Sequence, residues 1–209
     1  MHAPRLILAV LAISTVLAAP YSFASDSSWG LPVSLGQSAE QVRQLLGAPH
    51  DALDFVRDKS KCGENPKCVE TYDPSDGDRM EWYYSSGIVA NYQHGRLFRV
   101  TLYRKIDDRG FLPYSERIVE GVSLSDSREN ILRKLGSPTK VEEIEGLEDN
   151  FMRRKKASSG APANHPDQEV YYWRRQHYTV EALFLAQPQL WNRGIVWPKG
   201  ELMYIKVYQ

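Results

Sequence analysis

A stretch of seventeen residues occurs twice in this chain, and it constrains the fold more than any other feature. Residues 33–49 have the sequence VSLGQSAEQVRQLLGAP and residues 122–138 have VSLSDSRENILRKLGSP, with eight identical positions and no gap. A self-match of this length in a chain of 209 residues indicates two copies of one structural unit. We therefore predict two related units in tandem.

Each copy carries the pattern of a short helix. In the first copy, Ser38 and Gln41 form a capping box, and Gly47 followed by Pro49 ends the helix. The second copy has Ser127, Gly136 and Pro138 in the same roles. Helices of two or three turns do not persist alone in water, so we expect both to pack on a sheet. Apolar residues at helical spacing form the packing stripe, namely Ala39, Val42, Leu45 and Leu46 in the first copy and Ile131, Leu132 and Leu135 in the second.

Runs rich in aromatic and β-branched residues follow each helix and predict the strands of that sheet. The runs lie close together in sequence, which favours antiparallel pairing. The predicted strands are residues 80–85, 87–92 and 96–104 in the first copy and 169–174, 178–186 and 201–208 in the second. The predicted fold class is α+β, with two tandem units. Each unit is a short helical segment packed on one face of an antiparallel three- to four-stranded sheet.

The repeat also sets the predicted domain boundaries. We assign residues 1–24 to a signal peptide, 25–105 to the first unit, 106–117 to a linker and 118–209 to the second unit. Residues 142–168 within the second unit are expected to form a long polar loop that carries the basic run Arg153-Arg154-Lys155-Lys156. This run is interpreted as a solvated loop or, alternatively, as a contact for an acidic partner.

The first residues indicate export. Arg5 precedes an apolar run at residues 6–19, and Ser22 and Ala24 place small side chains at the positions that determine cleavage. The pattern predicts cleavage near Ala24 and a periplasmic protein, with an uncleaved anchor helix as the alternative. No cysteine lies near the cleavage point, so neither a lipid anchor nor a membrane span is expected.

The charge balance argues against nucleic acid as a partner. The chain has 26 basic and 26 acidic residues, and loss of Arg5 with the signal peptide leaves 25 against 26, a net charge of −1. A chain this close to neutral has no general attraction for polyanions.

Both cysteines, Cys62 and Cys68, lie in one polar loop with the sequence KCGENPKC. Two neighbouring cysteines in an oxidising compartment are expected to pair, so we predict a structural Cys62–Cys68 disulfide. A redox-active pair more often has the C-x-x-C spacing, and a zinc site would need two further ligands.

The chain resembles the BamE/SmpA-like domain in three motifs. They are the L-G-x-P ending of each helix, the EWYY run at residues 81–84 and the GRLFRVTLY strand at residues 95–103. Two such units in an exported chain are similar in arrangement to beta-lactamase inhibitor protein. The resemblance covers residues 31–104 and 118–208, and it implies a curved antiparallel sheet with helices on one face that acts by protein–protein contact. BamE-type proteins carry a lipid on a cysteine at the signal-peptide cleavage point, and this chain has no cysteine there. The inhibitors usually have cysteines in both copies, whereas here only the first copy has them. No contact residue is carried over.

The sequence shows no pattern for catalysis or for a metal. The five histidines are scattered, and no nucleophile elbow or phosphate-binding glycine loop occurs. We therefore predict no enzyme activity, no catalytic residue, no metal and no cofactor.

Alternation along the closing strands predicts an open sheet face. Phe98, Val100 and Leu102 are expected to lie under the helices, as are Met203, Ile205 and Val207, while Leu97, Thr101 and Leu202 face the other way. Tyrosine, tryptophan and arginine side chains commonly anchor protein interfaces. The predicted partner-binding residues on this face are Tyr83, Arg99, Tyr103, Tyr171, Trp173, Tyr204, Lys206 and Tyr208.

Two alternatives concern the aromatic residues. The open-face aromatics could instead fill cross-strand pairs or the seam between the units. Trp191 and Trp197 could form a rim of the open face or a buried hairpin.

Three functional hypotheses follow. The first is a soluble periplasmic protein that binds another protein, an exported toxin or enzyme, and neutralises it by occlusion as an inhibitor or toxin-immunity protein. The alternative is a BamE-like factor for envelope or outer-membrane assembly. The third is a small-ligand binder or hydrolase.

Overall fold

The computed structural model describes residues 30–56, 60, 63–70, 77–104, 112–144, 168–191 and 195–209. Within these residues the α-helices are α1 (Ala39–Leu46) and α2 (Arg128–Leu135), and 3-10 turns cover Tyr84–Ser86 and Val119–Gly121. The strands are β1 (Asp51–Val56), β2 (Cys68–Glu70), β3 (Arg79–Tyr83), β4 (Ile88–Gln93), β5 (Arg96–Tyr103), β6 (Lys140–Ile144), β7 (Gln168–Arg174), β8 (Thr179–Leu185), β9 (Gln189–Trp191), β10 (Ile195–Trp197) and β11 (Leu202–Tyr208).

Nine of the described strands form one continuous sheet in the order β2-β1-β3-β4-β5-β11-β8-β7-β6. Neighbours pair antiparallel except β2, which runs parallel to β1. The closing strands β5 and β11 pair with each other in the middle of the sheet, from Tyr103 opposite Tyr204 to Arg99 opposite Tyr208.

The predicted fold class, two tandem helix-on-sheet units, is therefore wrong. Each closing strand leaves one edge of unpaired backbone N–H and C=O groups, and these two edges satisfy each other. The domain boundaries stay predictions, since nothing in the fold tests them. Strands β1 and β6 were not among the predicted strands, and both pair with a strand that was.

Several predictions concern residues outside the described ranges. These are the signal peptide at residues 1–24, Cys62, the first half of the linker (residues 106–111), and the loop residues 145–167 with their basic run. The disulfide and the export signal thus stay predictions. Among the residues that the structure describes, no helix is long and apolar enough to cross a membrane.

The predicted helix caps are confirmed. Ser38 accepts a hydrogen bond from the Gln41 backbone, and the Gln41 side chain accepts one from the Ser38 backbone at 2.8 Å. In α2, Ser127 accepts from the Asn130 backbone at 3.3 Å. Most of the apolar stripe packs on the sheet, but Leu45 is 54% exposed, so the stripe on α1 is narrower than predicted.

The core lies between the helices and one face of the sheet, which we call the helix side. Val42 of α1 and Ile131 of α2 occupy equivalent positions in the repeat, and both are fully buried there. They pack in one cluster with sheet residues that include Ile88, Val100, Leu102, Val180, Ala182, Ile205 and Val207.

Each closing strand contains an irregularity that strict alternation does not predict. In β5 the register shifts between Leu97 and Arg99: Leu97 lies opposite Tyr92, Arg99 lies opposite Asn91, and Phe98 is the extra residue. In β11 the register shifts between Leu202 and Tyr204. A bulge residue reverses the side on which the preceding residues point. Leu97 and Leu202 therefore belong to the core, and the prediction that they face away from the helices is wrong. The prediction that Phe98 and Met203 lie under the helices is wrong as well.

A buried carboxylate ties α1 to the helix side of the sheet. The Glu81 side chain is 0% exposed and accepts hydrogen bonds from Arg43 of α1 and from Arg79 Nε at 2.8 Å. Its other oxygen accepts from the Tyr83 hydroxyl at 2.7 Å and the Tyr92 hydroxyl at 3.1 Å. Burial by itself would raise the pKa of Glu81, but these hydrogen bonds outweigh it and hold the pKa below its usual value.

A second carboxylate anchors the end of α2. Arg175, in the β7–β8 turn, donates to both oxygens of Glu120 at 2.6 and 2.8 Å and to the Leu135 carbonyl at 2.9 Å. The hydrogen bond from Arg175 lowers the pKa of the Glu120 carboxyl. This bidentate pair fixes the helix terminus against the turn.

Candidate functional site

The candidate site is the sheet face opposite the helices, which we call the open face. Its members follow from the strand register, because residues that alternate with the core residues point away from the helices. In its central and second-copy half, the open face consists of Arg99, Thr101 and Tyr103 of β5; Tyr204, Lys206 and Tyr208 of β11; Thr179, Glu181 and Leu183 of β8; Val170, Tyr172 and Arg174 of β7; and Lys140 and Glu142 of β6.

Five of the eight predicted partner-binding residues lie on the open face. They are Arg99, Tyr103, Tyr204, Lys206 and Tyr208, and all five are partly exposed. They come from the two adjacent closing strands, so the structure brings them together at the centre of the sheet.

The other three predicted binding residues lie on the helix side, and their assignment to the open face is wrong. Tyr83 and Trp173 are 0% exposed and Tyr171 is 5% exposed, all within the core cluster. In β7 the run VYYW at residues 170–173 does not alternate between apolar and charged residues, so its own pattern does not set which side chains face the helices. The strand takes the orientation that buries both Tyr171 and Trp173, because this buries more aromatic surface, and Tyr172 then lies on the open face.

The polar atoms of these buried aromatics have partners on the helix side. Trp173 Nε1 donates to the Gly136 carbonyl at the end of α2 at 2.9 Å. The Tyr171 hydroxyl contacts Arg128 of α2 and donates to Glu169 at 2.9 Å. These bonds hold α2 on the sheet.

A hydrogen-bond network lies at the centre of the open face. Glu181, 8% exposed, accepts from the Tyr204 hydroxyl and from Lys206 Nζ, each at 2.9 Å. Lys206 Nζ also lies 3.1 Å from the Tyr204 hydroxyl and 4.4 Å from the centre of its ring. Burial and the neighbouring Glu181 charge raise the pKa of Tyr204 well above its usual value, so this phenol stays protonated and acts as a donor.

Tyr103 and Tyr204 form a cross-strand pair at the seam between the closing strands. Their ring centres are 5.9 Å apart in an edge-to-face arrangement. Burial raises the pKa of Tyr103 as well. The alternative that aromatics fill cross-strand pairs thus applies to this pair, which nevertheless keeps part of its surface exposed.

A groove of about 510 Å³ borders the network on the second-copy side. On one wall, Glu142 forms an ion pair with Lys140 and accepts a hydrogen bond from the Tyr172 hydroxyl at 2.8 Å. Burial and this hydrogen bond raise the pKa of Tyr172. The groove is lined by Thr139, Lys140, Glu142, Tyr172, Arg174, Thr179 and Tyr208.

Sequence reasoning missed the residues that β6, β7 and β8 contribute to this site, among them Glu181, Tyr172 and Arg174. A usable signal was present for Glu181, because a single acid within the apolar run of β8 indicates a cross-strand partner, and Lys206 lies directly opposite it. Of the two hairpin tryptophans, Trp197 is 4% exposed, which fits the buried-hairpin alternative, while the side chain of Trp191 is outside the described part.

Within the described ranges, no group of three or more His, Cys, Asp or Glu side chains is arranged to hold a metal ion. The expectations of no metal, no cofactor and no catalysis stay predictions.

Comparison of the chain with protein-family models, with curated proteins and with solved structures finds no match. The resemblance to BamE/SmpA-like domains and to beta-lactamase inhibitor protein therefore stays a prediction.

Proposed function

We propose that this protein is exported to the periplasm, binds another protein through the open face and neutralises it by occlusion, as an inhibitor or a toxin-immunity protein. The observation that carries the proposal is the cluster of partly exposed tyrosine, lysine and arginine side chains where β5 meets β11. Tyrosine and arginine are enriched among the residues that dominate binding energy in protein interfaces.

The fixed conformation of these side chains supports the proposal. Glu181 holds Tyr204 and Lys206 by hydrogen bonds, and Tyr103 packs against Tyr204. Side chains that are already fixed lose little rotamer entropy when a partner binds, so more of the contact energy appears as affinity.

The chemistry of the face favours binding over catalysis. In the central and second-copy half of the face, the two described carboxylates are each engaged by a lysine and a tyrosine. The pKa values of Tyr172 and Tyr204 are displaced upwards, away from the range useful for proton transfer at neutral pH. Such a surface presents fixed hydrogen-bond donors and rings to a protein partner.

Combined Tyr103→Ala and Tyr204→Ala substitutions are expected to weaken the complex by about 2 kcal/mol or more, because they remove two adjacent anchors at the centre of the face. The full chain is used to recover its partner from periplasmic extract at defined stoichiometry, and the affinity is then measured by calorimetry.

Matched substitutions on the helix side serve as the control. Gln44 of α1 and Arg133 of α2 are exposed, and changing both to alanine should leave the affinity unchanged. Thermal unfolding of both double variants establishes that they are folded, and Tyr204→Phe, which keeps the ring, is used if the alanine variant is not. An affinity that falls only in the helix-side variant would overturn the proposal, as would the absence of any stoichiometric protein partner.

A further inference from the structure

Two arginines lie in one cross-strand row of the open face. The register places Arg99 opposite Tyr208, Tyr208 opposite Thr179, and Thr179 opposite Arg174. Burial and the Glu181 carboxylate raise the pKa of the Tyr208 phenol, while the charges of Arg99 and Arg174 oppose that rise. Both guanidinium groups therefore act electrostatically at the Tyr208 end of the groove.

The carboxylates near this row are already engaged. Glu142 pairs with Lys140 and Tyr172, and Glu181 pairs with Lys206 and Tyr204. The Arg174 guanidinium, by contrast, forms no ion pair or side-chain hydrogen bond within the described part of the chain. Among the described residues, no counter-charge is paired with it at the groove wall.

Hydroxyl groups complete a set of donors around Arg174. Thr139 Oγ1 accepts a hydrogen bond from the Arg174 backbone N–H at 3.0 Å, so the hydroxyl hydrogen of Thr139 can be donated into the groove. Thr179 lies directly opposite Arg174 and lines the same groove. A planar guanidinium with neighbouring hydroxyl donors is suited to a carboxylate.

We propose that this groove binds an acidic side chain, Asp or Glu, of the protein partner, with Arg174 binding the carboxylate and Thr139 and Thr179 donating to it. The inference rests on the proposed protein-binding function and names the partner chemistry at that face. Lys140, Arg174 and Glu142 give the lining a net charge of +1, which matches a single carboxylate. A doubly charged phosphate would exceed this net charge.

A peptide titration tests the groove without the natural partner. The full chain, ¹⁵N-labelled on arginine, is titrated with the blocked peptide acetyl-Ser-Glu-Glu-Ser-amide and with its Gln-Gln counterpart, while the arginine Nε–Hε signals are followed by NMR. We expect the Glu-Glu peptide to shift the Arg174 signal and to bind about tenfold more tightly than the Gln-Gln peptide, because a charge-assisted hydrogen bond is lost in the latter.

The variant Arg174→Gln should weaken binding of the Glu-Glu peptide about tenfold, and Arg133→Gln on α2 should leave it unchanged. Equal binding of the two peptides, or equal binding by the two variants, would overturn the inference. So would a response only to inorganic phosphate, or only to a Gln-Gln peptide with a free C-terminal carboxylate.

The two proposals fail in different ways. If a protein partner is recovered and Tyr103→Ala with Tyr204→Ala weakens the complex but Arg174→Gln does not, the acidic-side-chain inference fails and the proposed function stands. If no protein partner is recovered, the proposed function fails, and the peptide titration still decides whether the groove binds a carboxylate.

Discussion

Replacement of Trp173 by alanine is expected to lower the free energy of unfolding by about 3–5 kcal/mol, the range for truncating a large buried aromatic side chain. Trp173 is fully buried, stacks on Tyr171 with ring centres 6.0 Å apart, and lies opposite Val180 in the core. The substitution also leaves the Gly136 carbonyl without the Trp173 Nε1 donor at the end of α2. Urea unfolding monitored by circular dichroism measures the loss.

The conservative variant Trp173→Phe separates packing from hydrogen bonding. It keeps most of the apolar volume, so its cost should be nearer 1–2 kcal/mol, largely the lost hydrogen bond and a small cavity. Partner affinity at equal folded fraction should be unchanged in Trp173→Phe. A Trp173→Ala protein of unaltered stability and reduced affinity would show instead that this ring faces the partner, as alternation in the sequence predicts.

Substitution of Glu81 by glutamine is expected to cost about 3 kcal/mol, the lower end of the range for breaking a buried ion pair. The glutamine removes the counter-charge of Arg43 and one of the two counter-charges of Arg79, and it disturbs the acceptors of two tyrosine hydroxyls. The cost stays at the lower end because the Arg43 side chain is 40% exposed and Arg79 keeps its pair with Asp54 at 2.7 Å. Equilibrium unfolding at pH 7 measures it.

The stability difference caused by Glu81→Gln should change with pH in a defined direction, whereas a packing defect would not depend on the titration of Glu81. The folded-state pKa of Glu81 lies below its ordinary value of 4.5, so its contribution is fully present above pH 4.5 and is lost as the pH falls through the folded-state pKa. The stability difference between the natural chain and Glu81→Gln should therefore shrink below pH 4.5. Carboxylates common to both proteins, such as Glu120, cancel in that difference.

Glu143→Gln provides the matched control for Glu81→Gln. Glu143 is exposed on β6, and its substitution should change the free energy of unfolding by less than about 0.5 kcal/mol. A stability difference for Glu81→Gln that is independent of pH between 3 and 7, or one as small as that of the control, would contradict the role given to the buried carboxylate.

The local features of the fold could be predicted from the sequence because neighbours along the chain determine them. Ser38 and Ser127 cap their helices with backbone groups three residues away, and Gly47 and Gly136 take the positive φ angles that end the helices. The repeat likewise placed Val42 and Ile131 at equivalent buried positions.

The candidate site could be predicted only where alternation is regular. Alternation placed Tyr204, Lys206 and Tyr208 of β11 on the open face correctly, because no bulge interrupts the strand after Tyr204. It failed for Leu97 and Leu202, which precede a bulge, and for Tyr171 and Trp173, which lie in a run of four residues without a charged side chain. The extra residue in a bulge is defined by the partner strand, which single-strand patterns do not contain.

The sequence by itself determined two copies of a capped helix, the strands that carry the conspicuous aromatic patterns and the residues of the central open-face cluster. Only the tertiary structure decided that the closing strands join in one sheet, that Glu81 meets Arg43 across 38 residues of sequence, and that Arg174 lies at a groove wall with no ion-pair partner among the described residues. The physical reason is the separation along the sequence of the groups that interact. Caps and turns depend on neighbours a few residues apart, whereas sheet pairing, burial and charge compensation depend on groups that only the folded chain brings together.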